Sequence, residues 1–276
     1  MRRRAPAVVA AAAAVTLAAC GGSSSGESDP PRAPMGADEV VVRVETAGGY
    51  LAETRRPARL PRLSVFGDRR VIVLGPTTLQ FPGPALPNLQ EFRVTRDGLT
   101  RILDGARGAG LLGNEPPDYG EPGVTDQATT TVTVRADGVA RRVDVYALGF
   151  TGRVSGVTPE QRAQRRRLEQ FIDRTGDAGT FGDDLVPGSE RRYEAASLAV
   201  LVHPTEATDA DVHAWPLGDL AGTDCVVLTG ADAATATAAA RGTSDGDTWA
   251  SAGASYDLDF RPLLPDERGC DDVTGR

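Results

Sequence analysis

TRDGLTRILDGAR, residues 95–107, is where the hydrophobic period of the chain changes. Leu99, Ile102, Leu103 and Ala106 recur at i, i+3, i+4 and i+7, the apolar stripe of an amphipathic helix, and Thr95 stands at the N-cap position. On both sides of this helix the period is two. Upstream, Val40, Val42 and Val44 share one face of a strand, and Leu63–Phe66 and Val71–Leu74 flank Gly67-Asp68-Arg69-Arg70 as a hairpin. Downstream, Val132 and Val134 alternate, Ala136-Asp137-Gly138 supplies a turn, and Val143 and Val145 alternate again. The order is β-β-β-α-β-β, antiparallel hairpins packed on a helix.

A second helix opens at Thr158-Pro159-Glu160-Gln161, which combines an N-cap Thr, Pro at N1 and a capping-box Gln. Leu168, Phe171 and Ile172 form its buried stripe. Arg162, Arg165, Arg166 and Arg167 make it the most basic stretch, read either as a solvated face or as a contact for membrane phosphates. Gly176–Gly188, GDAGTFGDDLVPG, reads as a connector. Beyond it, Thr229–Arg241 repeats the interval of Thr95–Arg107, with Thr229 and Asp232 as a capping box, and Gly253, Leu258 and Phe260 repeat the spacing of Gly138, Val143 and Val145. The expected fold is α+β: antiparallel sheets with packed helices in two tandem β-hairpin/helix/β-hairpin halves, 38–178 and 189–276.

The N-terminus carries its own message. Arg2–Arg4 precede an apolar run, Ala7–Ala19, which suits a signal peptide and is shorter than the roughly 20 residues that span a bilayer. Leu17-Ala18-Ala19-Cys20 resembles a bacterial lipobox, so residues 1–19 are expected to be removed and Cys20 to be lipidated. Two acyl chains, each CH₂ contributing roughly 0.8 kcal/mol, anchor stably where one is marginal. Residues 20–37 are Gly, Ser and Pro with little to bury, and read as a disordered tether. The localisation implied is the outer face of the cytoplasmic membrane.

All 30 basic residues are Arg, against 38 acidic ones, for a net charge of −8. Lysine chemistry is thereby excluded, and generic nucleic-acid binding is disfavoured. Cys225 and Cys270 are the remaining thiols, and in an oxidising envelope such a pair favours one disulfide; a redox-active or metal-bound pair lacks C-x-x-C spacing.

Catalytic signals are sparse. His203 and His213 bracket Asp209 and Asp211, compatible with a surface metal site or a His–Asp hydrolase, and equally with loop and strand-edge residues. Gly108–Gly113 spells G-x-G-x-x-G but follows a helix, which makes it a C-cap, and Gly22–Gly26 spells G-x-S-x-G without a strand before it. No cofactor is called for. The long polar loop Asn114–Gln127, with Asp118, Tyr119, Glu121 and Asp126, is the best binding candidate, and Phe81–Pro87 is a second, Pro-rich loop.

The segment from Leu63-Ser64-Val65-Phe66-Gly67-Asp68 through Asp118-Tyr119-Gly120 and Thr129–Val132 to Tyr146, with Leu168–Asp173, resembles a bacterial domain family of unknown function found in secreted proteins. The whole chain, including Leu263-Leu264-Pro265-Asp266-Glu267, is similar to uncharacterised actinobacterial lipoproteins. Where family members often carry a Cys-Pro strand before the first hairpin, this chain has Arg59-Leu60-Pro61-Arg62. The resemblance brings no catalytic residues. The function expected is a lipid-anchored envelope module that binds a protein or glycan partner, the alternative being a hydrolase or metal-assisted enzyme using His203 or His213.

Overall fold

Twelve strands and four helices follow one another in the computed structural model, which describes residues 32–49, 60–77, 79–150, 155–206 and 212–274. The signal and lipidation assignments, with Cys20, lie outside these residues. In chain order the first half comprises β1 (Val40–Gly48), β2 (Leu63–Phe66), β3 (Arg70–Leu74), β4 (Leu89–Arg93), α1 (Arg96–Gly108), β5 (Ala128–Ala136), β6 (Val139–Tyr146) and α2 (Pro159–Gly176). Then come β7 (Arg191–Arg192), β8 (Ser197–Pro204), β9 (Val212–Ala214), β10 (Cys225–Thr229), α3 (Gly230–Ala240), β11 (Thr248–Ser251), β12 (Ala254–Pro262) and α4 (Cys270–Thr274).

The α+β class is as expected. Strands β1–β7 form one sheet in the order β6-β5-β1-β2-β3-β4-β7, and β8–β12 a second in the order β10-β8-β12-β11-β9. Pairing is antiparallel throughout except between β9 and β11. On the first sheet, Val42, Val44, Leu63, Val65, Val132 and Val134 bury their face under Ile102, Leu103 and Ala106 of α1 and Leu168, Phe171 and Ile172 of α2. The two helix caps are those read from the sequence. Thr95 Oγ1 accepts from Gly98 N at 3.1 Å, and Thr158 with Gln161 closes a full capping box. The glycine-rich run after α1 is a Schellman cap, with Leu111 N donating to Ala106 O, Gly110 N to Arg107 O, and Gly110 at φ +82°.

Four expectations are corrected. The halves are not topological repeats: β5, the first strand after α1, lies beside β1, whereas β12, the second strand after α3, lies beside β8, and the antiparallel pair before α3, β8 with β10, has β9 between its strands. Thr229 makes no side-chain cap bond; α3 is held by packing Ala233, Ala236 and Ala240 against Trp249, Leu258 and Phe260. The connector is part of the first core, since Phe181 is buried against Phe92, Thr95 N donates to Asp184 O, and β7 pairs with β4. Residues 32–37, expected to belong to the disordered tether, are placed on the fold: Arg32 N donates to Asp137 Oδ1 at 2.7 Å and its carbonyl accepts from Asp137 N.

The halves interlock. Leu86, from the β3–β4 loop, lies in the second core, while Leu264, beyond β12, packs with Val40, Phe66, Ile72 and Leu89 on the other face of the first sheet. Around Leu264 the LLPDE run forms a polar strap. Asp266 accepts two bonds from Arg43, at 2.7 and 2.8 Å, and Glu267 accepts from Arg261 and from Leu264 N, while Tyr193 OH donates to Leu263 O at 2.8 Å. Cys225 and Cys270 form a disulfide that pins the chain just after this strap to β10. No described helix is long and apolar enough to cross a membrane.

Candidate functional site

Among the described residues, the site residues expected from the sequence have definite places. In the loop between α1 and β5, Tyr119 is buried in the first core at 6% exposure, which removes it from any binding surface. Asp118 accepts from Gly120 N at 2.9 Å and from Gln161 Nε2 at 2.8 Å, and these bonds, the backbone one foremost, hold its carboxyl below the usual range. Glu121 is exposed, and Asp126 is exposed at φ +60°. The loop is stapled down on both flanks. Tyr146 OH donates to Val124 O and accepts from Gln127 N, and Arg165 donates to the carbonyls of Tyr119, Tyr146 and Ala147. Arg165 is therefore a buried tie, not a member of the basic face, and burial pushes its guanidinium below its ordinary value.

Tyr119 OH makes no hydrogen bond among the described residues. Leaving a buried hydroxyl unpaired costs about 1–3 kcal/mol, so Tyr119→Phe is expected to stabilise the fold by about 1 kcal/mol at neutral pH. Burial also pushes the phenols of Tyr119 and Tyr193 up to about 12. Between about pH 10 and 12 the folded chain holds protons that the unfolded chain releases, so this stability is complete below about pH 10 and is lost as pH rises. Urea unfolding at pH 7 and pH 11 checks both statements: Tyr119→Phe gains at pH 7 and loses less than the parent at pH 11.

The histidines do not share a site. His203 Nε2 lies 3.2 Å from Asp259 and His213 Nε2 lies 3.0 Å from Asp247, and their strands, β8 and β9, are separated by β12 and β11, about 14 Å across the sheet. His213 also packs at a tilt against Trp249 in the aromatic cluster with Trp215 and Phe260. Asp209 and Asp211 lie outside the described residues, and among those described no three His, Cys, Asp or Glu side chains group to hold a metal.

A concavity lies elsewhere, in a groove of about 590 Å³ between α1 and α2. The helices run antiparallel. Gly105 faces Phe171, Arg101 reaches the Thr180 and Phe181 carbonyls beyond the end of α2, and Gly108 lies on the Arg167 side. Ile102, Ala109, Phe171 and Phe181 lie beneath it as members of the first core, each no more than 5% exposed, and Arg101, Arg167 and Arg174 stand around it. Two of the charges are already matched: Arg101 pairs with Asp184, and Asp104 pairs with Arg107 at 2.7 Å. Arg167 and Arg174 are exposed and have no ion pair or side-chain hydrogen bond among the described residues. Two glycines of α1 line the groove. A Cβ on Gly105 would sit 3.1 Å from the Phe171 ring, and one on Gly108 would meet nothing within 4 Å. Glycine inside a helix costs about 1 kcal/mol relative to Ala.

Of this site the sequence showed Arg167, as part of a basic face. Arg101, Gly105 and Arg174 went unread, and Gly108 was read only as part of the helix C-cap. No family model, curated protein or solved structure matches the chain.

Proposed function

We propose that this chain is a lipid-anchored protein of the cell envelope, of the actinobacterial lipoprotein kind, that acts by binding an envelope component without chemistry of its own. The observation that carries the binding half of this reading is the α1/α2 groove, whose volume falls in the range of about 300–1,000 Å³ common to ligand sites and whose Arg167 and Arg174 have no ion pair among the described residues. Anchoring rests on the order of Arg2–Arg4, Ala7–Ala19 and Leu17–Cys20, followed by a short polar tether. The groove would then work close to the membrane surface.

Two experiments test the reading. Cys20→Ala is expected to move the protein from the membrane fraction to the soluble one, and continued pelleting of that variant would overturn the anchor. Capture from solubilised envelope with the whole mature chain is expected to enrich a component that Arg167→Gln/Arg174→Gln fails to hold. Equal recovery by both baits would remove the groove from the function.

A further inference from the structure

We propose that the loop between β3 and β4, residues 75–88, is a membrane-insertion tip that places Leu79 and Phe81 in the interface of a lipid bilayer. The inference is separate from the groove and rests on the anchored reading above for what keeps the bilayer near.

The loop, GPTTLQFPGPALPN, holds no charged residue, in a chain of which 25% is charged. Phe81 is 96% exposed and Leu79 wholly so; among the described residues no other large apolar side chain is as bare, Met35 following at 79%. Burying a Leu or a Phe is one of the larger favourable terms open to a fold, so two left in water with only Gln80 between them mark a contact surface. The tip stands between two clamps. At the base, Gly75 N donates to Asn88 O at 2.7 Å and Asn88 Nδ2 to Pro76 O at 2.8 Å. Beyond the tip, Asp245 N donates to Gly83 O, Ala85 N donates to Thr243 O, and Leu86 is buried in the second core. Pro76, Pro82 and Pro84 fix φ along the way, so little ordering remains to be lost on contact.

The chemistry of the tip fits lipid. No charge has to be desolvated on entry, and each proline brings no amide N–H that the bilayer would leave unpaired. Near the base, Arg192, which donates to Pro87 O, and Arg241 are offset by Glu194 and Asp245, so the attraction is apolar and needs no anionic head group. Reach is sufficient. Arg32 is held at the Asp137 turn, at the end of the first sheet where β1 begins, and the loop leaves the opposite end, where β3 stops and β4 starts. The five residues of β3 cover about 17 Å, whereas the chain from Cys20 to Arg32 can extend to about 40 Å. One bilayer can therefore hold both the anchor and the tip, with the first sheet between them.

The test couples the mature chain through the Cys20 thiol to a maleimide lipid in phosphatidylcholine vesicles, which supplies the anchor chemically and leaves the Cys225–Cys270 disulfide intact. Phe81→Trp reports on the tip, and the native Trp215 and Trp249, 8% and 1% exposed, give the background, measured with the parent chain. On coupling, emission of the Phe81→Trp chain is expected to shift to the blue and to be quenched more strongly than the parent's by phosphatidylcholine brominated near the head of its acyl chains. Adding Leu79→Ser should remove most of the shift. For the uncoupled chain carrying Cys20→Ser, Leu79→Ser and Phe81→Ser should each lower cosedimentation with phosphatidylcholine vesicles by about tenfold or more, at unchanged melting temperature. Phosphatidylglycerol added to the vesicles should not strengthen it.

Solvent-like, unquenched emission from the coupled Phe81→Trp chain would overturn the proposal and leave the tip to a protein contact. So would partitioning that requires phosphatidylglycerol, or that survives both serine variants. Because the anchor in this test is chemical, a failure of Cys20 lipidation in the cell and a failure of the tip to insert give different results: an unquenched tip with Cys20→Ala released from the membrane fraction removes the insertion and keeps the anchor.

Discussion

Arg261→Ala is expected to destabilise the protein by about 3–5 kcal/mol, the usual consequence of leaving one partner of a buried ion pair uncompensated. Arg261 and Glu267 expose 2% and 7% of their side chains, and the two are joined by paired bonds of 2.7 and 3.1 Å. Burial pushes the Arg261 guanidinium below its ordinary value, opposed by Glu267, so the pair holds its charge because each member holds the other. Glu267 also accepts from Leu264 N at 2.7 Å, and Leu264 is the side chain that the second half lends to the first sheet. Loss of Arg261 would therefore loosen the junction as well as strand a carboxylate. Urea unfolding followed by circular dichroism measures the effect. The double variant Arg261→Met/Glu267→Leu is expected to recover most of the loss, since apolar side chains of similar volume often replace a buried pair at little net change. A loss below about 1 kcal/mol for Arg261→Ala would show that the strap is not a structural tie.

Removing the disulfide should have an effect of similar size. Cys225 and Cys270 are 45 residues apart, and closing such a loop stabilises a fold by about 4 kcal/mol in the chain-entropy model. Cys270 follows Glu267 by three residues, so the bridge and the Arg261–Glu267 pair hold the same strap from two sides. Cys225→Ala/Cys270→Ala, or the parent protein under reductant, is expected to unfold about 4 kcal/mol earlier, with faster amide exchange over residues 263–270. Because both features act on one segment, the losses on combining Arg261→Ala with the cysteine variant should not add. Equal stability with and without reductant would leave the bridge without a structural role.

Local chemistry was well legible. Thr95 and Thr158 cap their helices because a hydroxyl one residue ahead of a helical stripe satisfies an otherwise unpaired amide wherever the helix goes next. β4 was missed because Glu91 stands at a buried position of LQEFR, where the alternation rule asks for an apolar residue. Its partner, Arg191, comes 100 residues later. Residues 176–188 read as a connector because Gly and Asp dominate, and a single Phe181 cannot announce from composition that it fills a core. Tyr119 looked like a surface aromatic for the same reason: its loop is polar, but burial of one side chain depends on what faces it.

What the amino-acid order determined by itself was written within about one helical turn or one hairpin: α1 and α2 with their caps, the Asp137-Gly138 turn, the Schellman stop after α1, and the α+β class that follows from two periods in one chain. These depend on neighbours a few residues apart, where spacing is geometry. Tertiary structure alone decided which strands are neighbours, that the halves exchange Leu86 and Leu264, that Asp266 and Glu267 are spent on Arg43 and Arg261, and that two unmatched arginines stand beside an open groove. Those are pairings across tens to hundreds of residues. Sequence spacing carries no record of them, because loop closure costs only logarithmically more with length and leaves many partners within reach until packing and charge choose among them.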